Sequence, residues 1–198
     1  FSNNTINAAS EALYYYVSYW GDDMYEDSSL VINARTFTNN TLTSTGSSAF
    51  YFDLDEGAYY MYDNARVDIK TINVADNTLT SDGGEALYFY FDDFAYSMVD
   101  NSVMTMSPIT VDNNTISATN SNGIYIYYYS YYIGVYMEDN ASATFPNWIF
   151  TDNTIDATGG NYGFWFENDD NPYENYDNSS ATYGSFLIDG NTFNPNKD

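Results

Sequence analysis

Carboxylates are the residues of this chain best suited to do chemistry, and they recur at matching phases rather than at random. One group reads Asp22-Asp23, Asp53/Asp55/Glu56, Asp92-Asp93 and Glu167/Asp169/Asp170. A second reads Asp27, Asp63, Asp100, Asp139 and Asp177. Gathered carboxylates attract hard cations, and Ca2+ takes carboxylate and carbonyl oxygens in flexible geometry. The candidate calcium ligands are therefore Asp22, Asp23, Asp53, Asp55, Glu56, Asp92, Asp93, Asp169 and Asp170. No EF-hand loop or Gly-rich calcium nonapeptide accompanies them. The bland alternative is a solvated acidic rim that holds counter-ions diffusely. No cofactor is required by any motif.

Catalysis finds less support. Histidine, the commonest general acid–base, is absent, and so is cysteine. Arg35, Arg66 and Lys70 are the only bases inside the repeat described below, and no unit carries an idiosyncratic polar cluster of the kind a grafted active site needs. The chain is expected not to be an enzyme. Asn-x-Ser/Thr acceptors at Asn3, Asn39, Asn113, Asn140 and Asn178 fall at turn-like positions and are candidate glycosylation sites of a secreted protein.

The elements that position these residues follow from a repeat. Asn-Thr-(Ile/Leu/Phe) recurs at Asn4, Asn40, Asn77, Asn114, Asn153 and Asn191, so five units of 36 to 39 residues fill the sequence as one domain, 1–198. A fixed period in this range marks a solenoid or a propeller. After each anchor comes a β-prone run, such as Ala12-Leu13-Tyr14-Tyr15-Tyr16 and Ala86-Leu87-Tyr88-Phe89-Tyr90. An acidic aromatic stretch and an Asp-Asn-type turn follow, and a β-branched or aromatic strand such as Ile109-Thr110-Val111 closes the unit. No segment shows a sustained helical period, so the chain is expected to be all-β.

The pattern Asn-Asn-Thr-Ile…Gly-Ile-Tyr-Ile…Asp-Asn-Ala…Trp-Ile-Phe-Thr-Asp-Asn-Thr-Ile resembles the repeats of right-handed parallel β-helices of the pectate-lyase-like kind. Within them it looks most like the Asn/Thr/Tyr-rich adhesin-like and sheath-type proteins of archaeal and bacterial cell surfaces. The resemblance implies a parallel β-solenoid of about five coils. The units are longer than such coils usually are, and the excess between the tyrosine strand and the Asp-Asn turn predicts an extra strand or strand pair. The competing architecture is a five-bladed β-propeller. In a solenoid, Asn4, Asn40, Asn77, Asn114, Asn153 and Asn191 form a corner ladder of amides. Tyr14, Tyr51, Tyr88, Tyr125 and Trp165 form an aromatic ladder.

Composition narrows the function. With 28 acidic residues against 4 basic ones, the net charge of −24 repels nucleic acid and anionic membranes. With 23 Tyr, 13 Phe and 3 Trp, disorder is not expected. No apolar run reaches membrane-spanning length, and no leader is present, which fits a mature secreted, cell-surface chain. The chain begins and stops at the same phase of the repeat without a capping helix. The expected role is thus a structural subunit of an extracellular filament, sheath or surface layer, a homopolymer stacking head to tail through uncapped ends. An adhesin or glycan-binding solenoid is the alternative, and a polysaccharide lyase or hydrolase ranks third.

Overall fold

The computed structural model describes residues 1–93, 95–129, 136–159, 162–168 and 174–195. Each coil lays down five strands in the same order. The first coil contributes β1 (Thr5–Ala8), β2 (Leu13–Val17), β3 (Asp23–Met24), β4 (Ser29–Ile32) and β5 (Arg35–Thr38). The pattern repeats until β25 (Phe186–Asp189), and β26 (Thr192–Pro195) opens a sixth pass. Equivalent strands pair in parallel between successive coils, giving five sheets that run the length of the molecule: one of six strands and four of five. This is a parallel β-solenoid of about five coils, and the antiparallel blades of a propeller are excluded.

The length of the coil is now explained. A two-residue strand sits where an extra strand was expected, between the tyrosine strand and the acidic turn: β3 and its equivalents Tyr60–Met61, Ser97–Met98 and Tyr136–Met137. A further sheet, β4 and its equivalents Arg66–Ile69 and Val103–Met106, follows the turn and was not anticipated.

Period-2 alternation in each strand sends one set of side chains inward, as pleated strands must. Leu42, Leu79, Ile116 and Ile155 form one buried column, and Met24, Met61, Met98 and Met137 another. The inner face of the tyrosine sheet carries Phe52, Phe89 and Ile126, fully buried against Val74, Val111 and Phe150 of the closing sheet. Unbranched methionines suit the narrow corner beneath the two-residue strands because they fill irregular gaps.

The anchors behave as the spacing predicts. The side-chain amide of Asn77 donates to Asn114 Oδ1 at 3.0 Å, and the Asn77 backbone N–H donates to the same oxygen at 2.9 Å. The same pair of bonds links Asn4 to Asn40, Asn40 to Asn77, Asn114 to Asn153 and Asn153 to Asn191. Each amide also caps a main-chain carbonyl: Asn77 Nδ2 reaches Phe37 O and Ala75 O, both at 2.9 Å. The residue before each anchor has a positive φ between 50° and 66°: Asn3, Asn39, Asp76, Asn113, Asp152 and Gly190. Only Asn, Asp and Gly adopt that left-handed backbone cheaply, which explains why no other residue type stands there.

Asn77→Ala should therefore strand a buried backbone N–H and a buried amide of Asn40 while opening two carbonyls. At about 1–3 kcal/mol per orphaned group, a loss of about 3–5 kcal/mol in urea denaturation is expected. Asn4→Ala, at the part-buried end of the ladder, should cost less than half as much. Equal losses would show that the ladder contributes nothing beyond local turn formation.

Candidate functional site

The outer face of the tyrosine sheet gathers three of the candidate carboxylates, Asp53, Asp55 and Asp92. Its strands are β2, Phe50–Asp55, Leu87–Asp92, Ile124–Tyr129 and Phe164–Asn168. Along the first outward column, Tyr14, Tyr51, Tyr88 and Tyr125 stack ring on ring, with centroids 4.9, 4.7 and 4.9 Å apart. Trp165 continues the column in strand register with Tyr125. The second column runs Tyr16, Asp53, Tyr90, Tyr127 and Glu167, and Asp55 and Asp92 are partners in a third.

Tyrosine hydroxyls and carboxylates pair across this face. Tyr14 donates to Asp53 at 2.8 Å, Tyr16 to Asp55 at 3.1 Å, Tyr90 to Asp92 at 2.9 Å and Tyr125 to Glu167 at 2.7 Å. Trp165 Nε1 joins Glu167 at 3.0 Å. Glu167 belongs to the first acidic group without being a calcium candidate, and its pairing with Tyr125 and Trp165, like the Tyr136–Glu138 pair, was not anticipated. The signal was the i, i+2 spacing in Tyr90-x-Asp92, Tyr136-x-Glu138 and Trp165-x-Glu167, which places both groups on one face of a strand.

Burial has raised the proton affinity of these acids. Asp53 is only 4% exposed, its Oδ1 has no hydrogen-bond partner, and desolvation lifts its pKa from 3.8 to about 6 despite the Tyr14 bond. Burial, then the adjacent Asp92 charge, lifts Asp93 to about 7. Asp55 and Asp92 are raised too, chiefly by burial. A buried carboxyl that holds its proton near neutrality is chemically poised. Here, however, Asp53, Asp55 and Asp92 accept from tyrosine hydroxyls, while Asp93 faces a separate cleft.

The remaining acids lie elsewhere. Asp22, Glu56 and Asp93 line a cleft of about 210 Å³ with Tyr19 and Tyr59, drawn from three successive coils. Asp23 is exposed on β3, and Asp169 and Asp170 lie outside the described residues. Among the described residues, no three carboxylates converge in a geometry that would hold a metal ion.

The turn series needs one correction. Glu26, not Asp27, is the structural equivalent of Asp63, Asp100, Asp139 and Asp177; these five share positive φ values of 54° to 61°. Asp27 instead pairs with Asn64, accepting from its amide at 3.0 Å. The stacked acids are held by main-chain donors, Glu26 N–H to Asp63 Oδ2 at 3.1 Å and Asp63 N–H to Asp100 Oδ2 at 3.3 Å. All five sequon asparagines, Asn3, Asn39, Asn113, Asn140 and Asn178, are exposed at turns or corners.

The three bases do not meet at one site. Lys70 pairs with Asp68, and Arg66 is exposed at the start of its strand. Arg35 lies at the open end of the core, where its Nε donates to the Tyr15 hydroxyl and its Nη1 to Asn33 O at 2.8 Å. Phe1, Leu13, Tyr15, Phe37 and Arg35 line a cavity of about 400 Å³ at this end. At the other end, Tyr128, Phe145, Trp148, Phe166, Tyr183 and Phe186 line an aromatic cavity of about 230 Å³.

No family model matches the chain, and neither the curated proteins nor the solved structures contain a significant match.

The raised carboxyls predict a pH dependence with a definite sign. Asp53 and Asp93 keep protons in the folded chain that the unfolded chain has released, so their contribution is fully present below about pH 4 and is lost as pH rises through about 6 and about 7 respectively. Asp53→Asn keeps an acceptor for Tyr14 and removes the buried charge. Its melting temperature should match wild type near pH 4 and exceed it by a few degrees at pH 8, at about 2–4 °C per kcal/mol in a chain of this size. A pH-independent difference would mean that Asp53 titrates alike in both states.

Proposed function

We propose that this solenoid is a structural subunit of an extracellular filament, sheath or surface layer, stacking head to tail through its end coils. The observation that carries the reading is the complementarity of the two axial faces of every coil. Every interior anchor oxygen receives two N–H donors from the coil before it, and every interior anchor N–H finds an oxygen in the coil after it. Each coil thus turns its anchor oxygen toward the coil before it and its anchor N–H donors toward the coil after it. One face offers what the other lacks.

Apolar surface follows the same logic. Core positions that are buried in coils two to four become exposed in the last coil, with Phe186 at 39%, Ile188 at 47% and Phe193 at 39%. Ile6 and Leu13 pack at the margin of the core in the first coil. Open strand edges with flanking apolar residues invite pairing with another chain. An in-register junction would bury both sets and extend all five sheets. The resemblance to sheath-type and adhesin-like surface repeats agrees with this role, and the exposed sequons agree with a secreted setting. Divalent cations, calcium above all, would lower the repulsion between subunits that each carry −24. A chelator should then lower the melting midpoint of the assembly at low ionic strength, and an unchanged midpoint would leave only diffuse counter-ions.

A glycan-binding module is the second reading. The observation in its favour is a cleft of about 180 Å³ lined by Asn122, Tyr125, Tyr162, Trp165 and Glu167, which combines aromatic rings with polar groups. Against it, the ladder turns most tyrosine faces toward neighbouring rings, and a sugar needs a free face.

Ile6→Lys with Leu13→Lys places unpaired charge in the first coil's core margin, where burial is costly. This variant should remain β-rich by circular dichroism and stay monomeric, while wild type forms fibres visible by negative stain. Wild type sedimenting as a discrete monomer at micromolar concentration and neutral pH, with and without Ca2+, would defeat the filament reading and favour the second.

A further inference from the structure

Arg35 occupies a place where an apolar residue belongs. In the closing sheet it is in register with Ile72, which pairs with Ile109, then Trp148, then Phe186. Ile72, Ile109 and Trp148 are at most 2% exposed, so this is a core column, and its first member is a cation. Its last member, Phe186, is an open aromatic ring. The neighbouring column behaves similarly: Tyr15, Phe52, Phe89, Ile126 and Phe166 are register partners on the inner face of the tyrosine sheet. Arg35 leans on Tyr15, with its guanidinium carbon 5.8 Å from the ring centroid. Phe166 packs edge-on to Phe186 at 4.9 Å.

Resting on the head-to-tail reading above, we propose that the junction between copies is a cation–aromatic contact, with Arg35 and Tyr15 of one copy seated on Phe186 and Phe166 of the copy before it. Continuing the sheets at their own spacing brings Arg35 about 4.8 Å above Phe186, inside the range at which a guanidinium interacts with a ring face. The aromatic cavity at that end also presents Asn168, which stands in the column of Val17, Leu54, Phe91 and Tyr128 and adds an amide to an otherwise apolar rim. The partner is thus a second copy of this chain, and the contact fixes its direction. Two first-coil faces brought together would oppose Arg35 to Arg35, and two last-coil faces would leave both cations in water. An inward-pointing charge at an open edge also discourages unselective pairing.

The chain's geometry supplies a clean test. Within one copy Arg35 and Phe186 are separated by four strand spacings, about 19 Å, too far for direct coupling. Any coupling between them in assembly must therefore act across a junction. The critical concentration for filament formation should be measured by sedimentation for wild type, Arg35→Gln, Phe186→Leu and the double variant, with melting curves to confirm folding. Each single change should raise the critical concentration about 3- to 30-fold, the range expected for loss of a partly desolvated cation–π contact. The double variant should be scarcely worse than either single one. Additive effects, or none, would overturn the Arg35–Phe186 contact while leaving head-to-tail stacking intact. Wild type that does not assemble at all would instead overturn the reading on which the contact rests.

Discussion

The fold depends on one repeated contact, an asparagine carboxamide that joins its own coil to the next. At a solenoid corner the backbone turns out of the sheets, and its N–H and C=O groups need partners that no strand supplies. The carboxamide provides both: its oxygen takes two donors from the preceding coil, while its nitrogen reaches the following oxygen and a carbonyl of the preceding coil. Because the contact repeats once per coil, it pins every coil at the strand spacing and at a fixed register. A slip of one residue would break these bonds and reverse inside and outside along each strand. Variation in coil length is consequently confined to connections. Ser97 follows Asp92 closely, whereas the equivalent passage from Tyr129 to Tyr136 is two residues longer, and the strands on either side keep their partners.

Fixed register makes every residue the neighbour of its own kind, which suits rings and amides but not charges. Carboxylates at about 4.8 Å repel by about 1 kcal/mol in bulk water and by more where shielded. The chain answers in two ways. At the acidic turn, main-chain N–H groups that point along the axis donate to the carboxylates of Asp63 and Asp100 from the preceding coil. On the tyrosine sheet, hydroxyls interleave with carboxylates and burial favours the protonated state at Asp53. The strong acidity of the chain is thus compatible with close stacking, coil on coil.

What could be read from the sequence was whatever repeats by residue identity. The Asn-Thr corner, the tyrosine strand and the closing strand recur in recognisable letters, and all three stand where the spacing places them. The sheet after the acidic turn was missed because Ser29–Ile32, Arg66–Ile69 and Val103–Met106 share only alternation, not residues. The two-residue strands are too short to show alternation, although Met24, Met61, Met98 and Met137 recur in them by identity. Asp27 was misaligned because type was matched where backbone conformation decides: Glu26 has the left-handed φ of 57° that defines the position. The split of the first acidic group between a tyrosine-covered face and a separate cleft depends on which strand end each residue occupies, and that needs coordinates.

Departures from the column rule locate the chemistry. Asp53 interrupts a tyrosine column in the interior, yet Tyr14 answers it from the neighbouring coil. Lys70 finds Asp68 two residues away. The remaining departures cluster at the ends: Arg35 heads a core column of isoleucine and aromatic residues, Asn168 closes another, and Pro195 ends the outermost strand β26, an edge position where a missing N–H is tolerated. A side site for a small ligand would be expected to disturb one interior coil more than its neighbours. Here the described interior coils stay nearly interchangeable, and Arg35, Asn168 and Phe186 face along the axis, the direction in which the proposed neighbouring copy would stack.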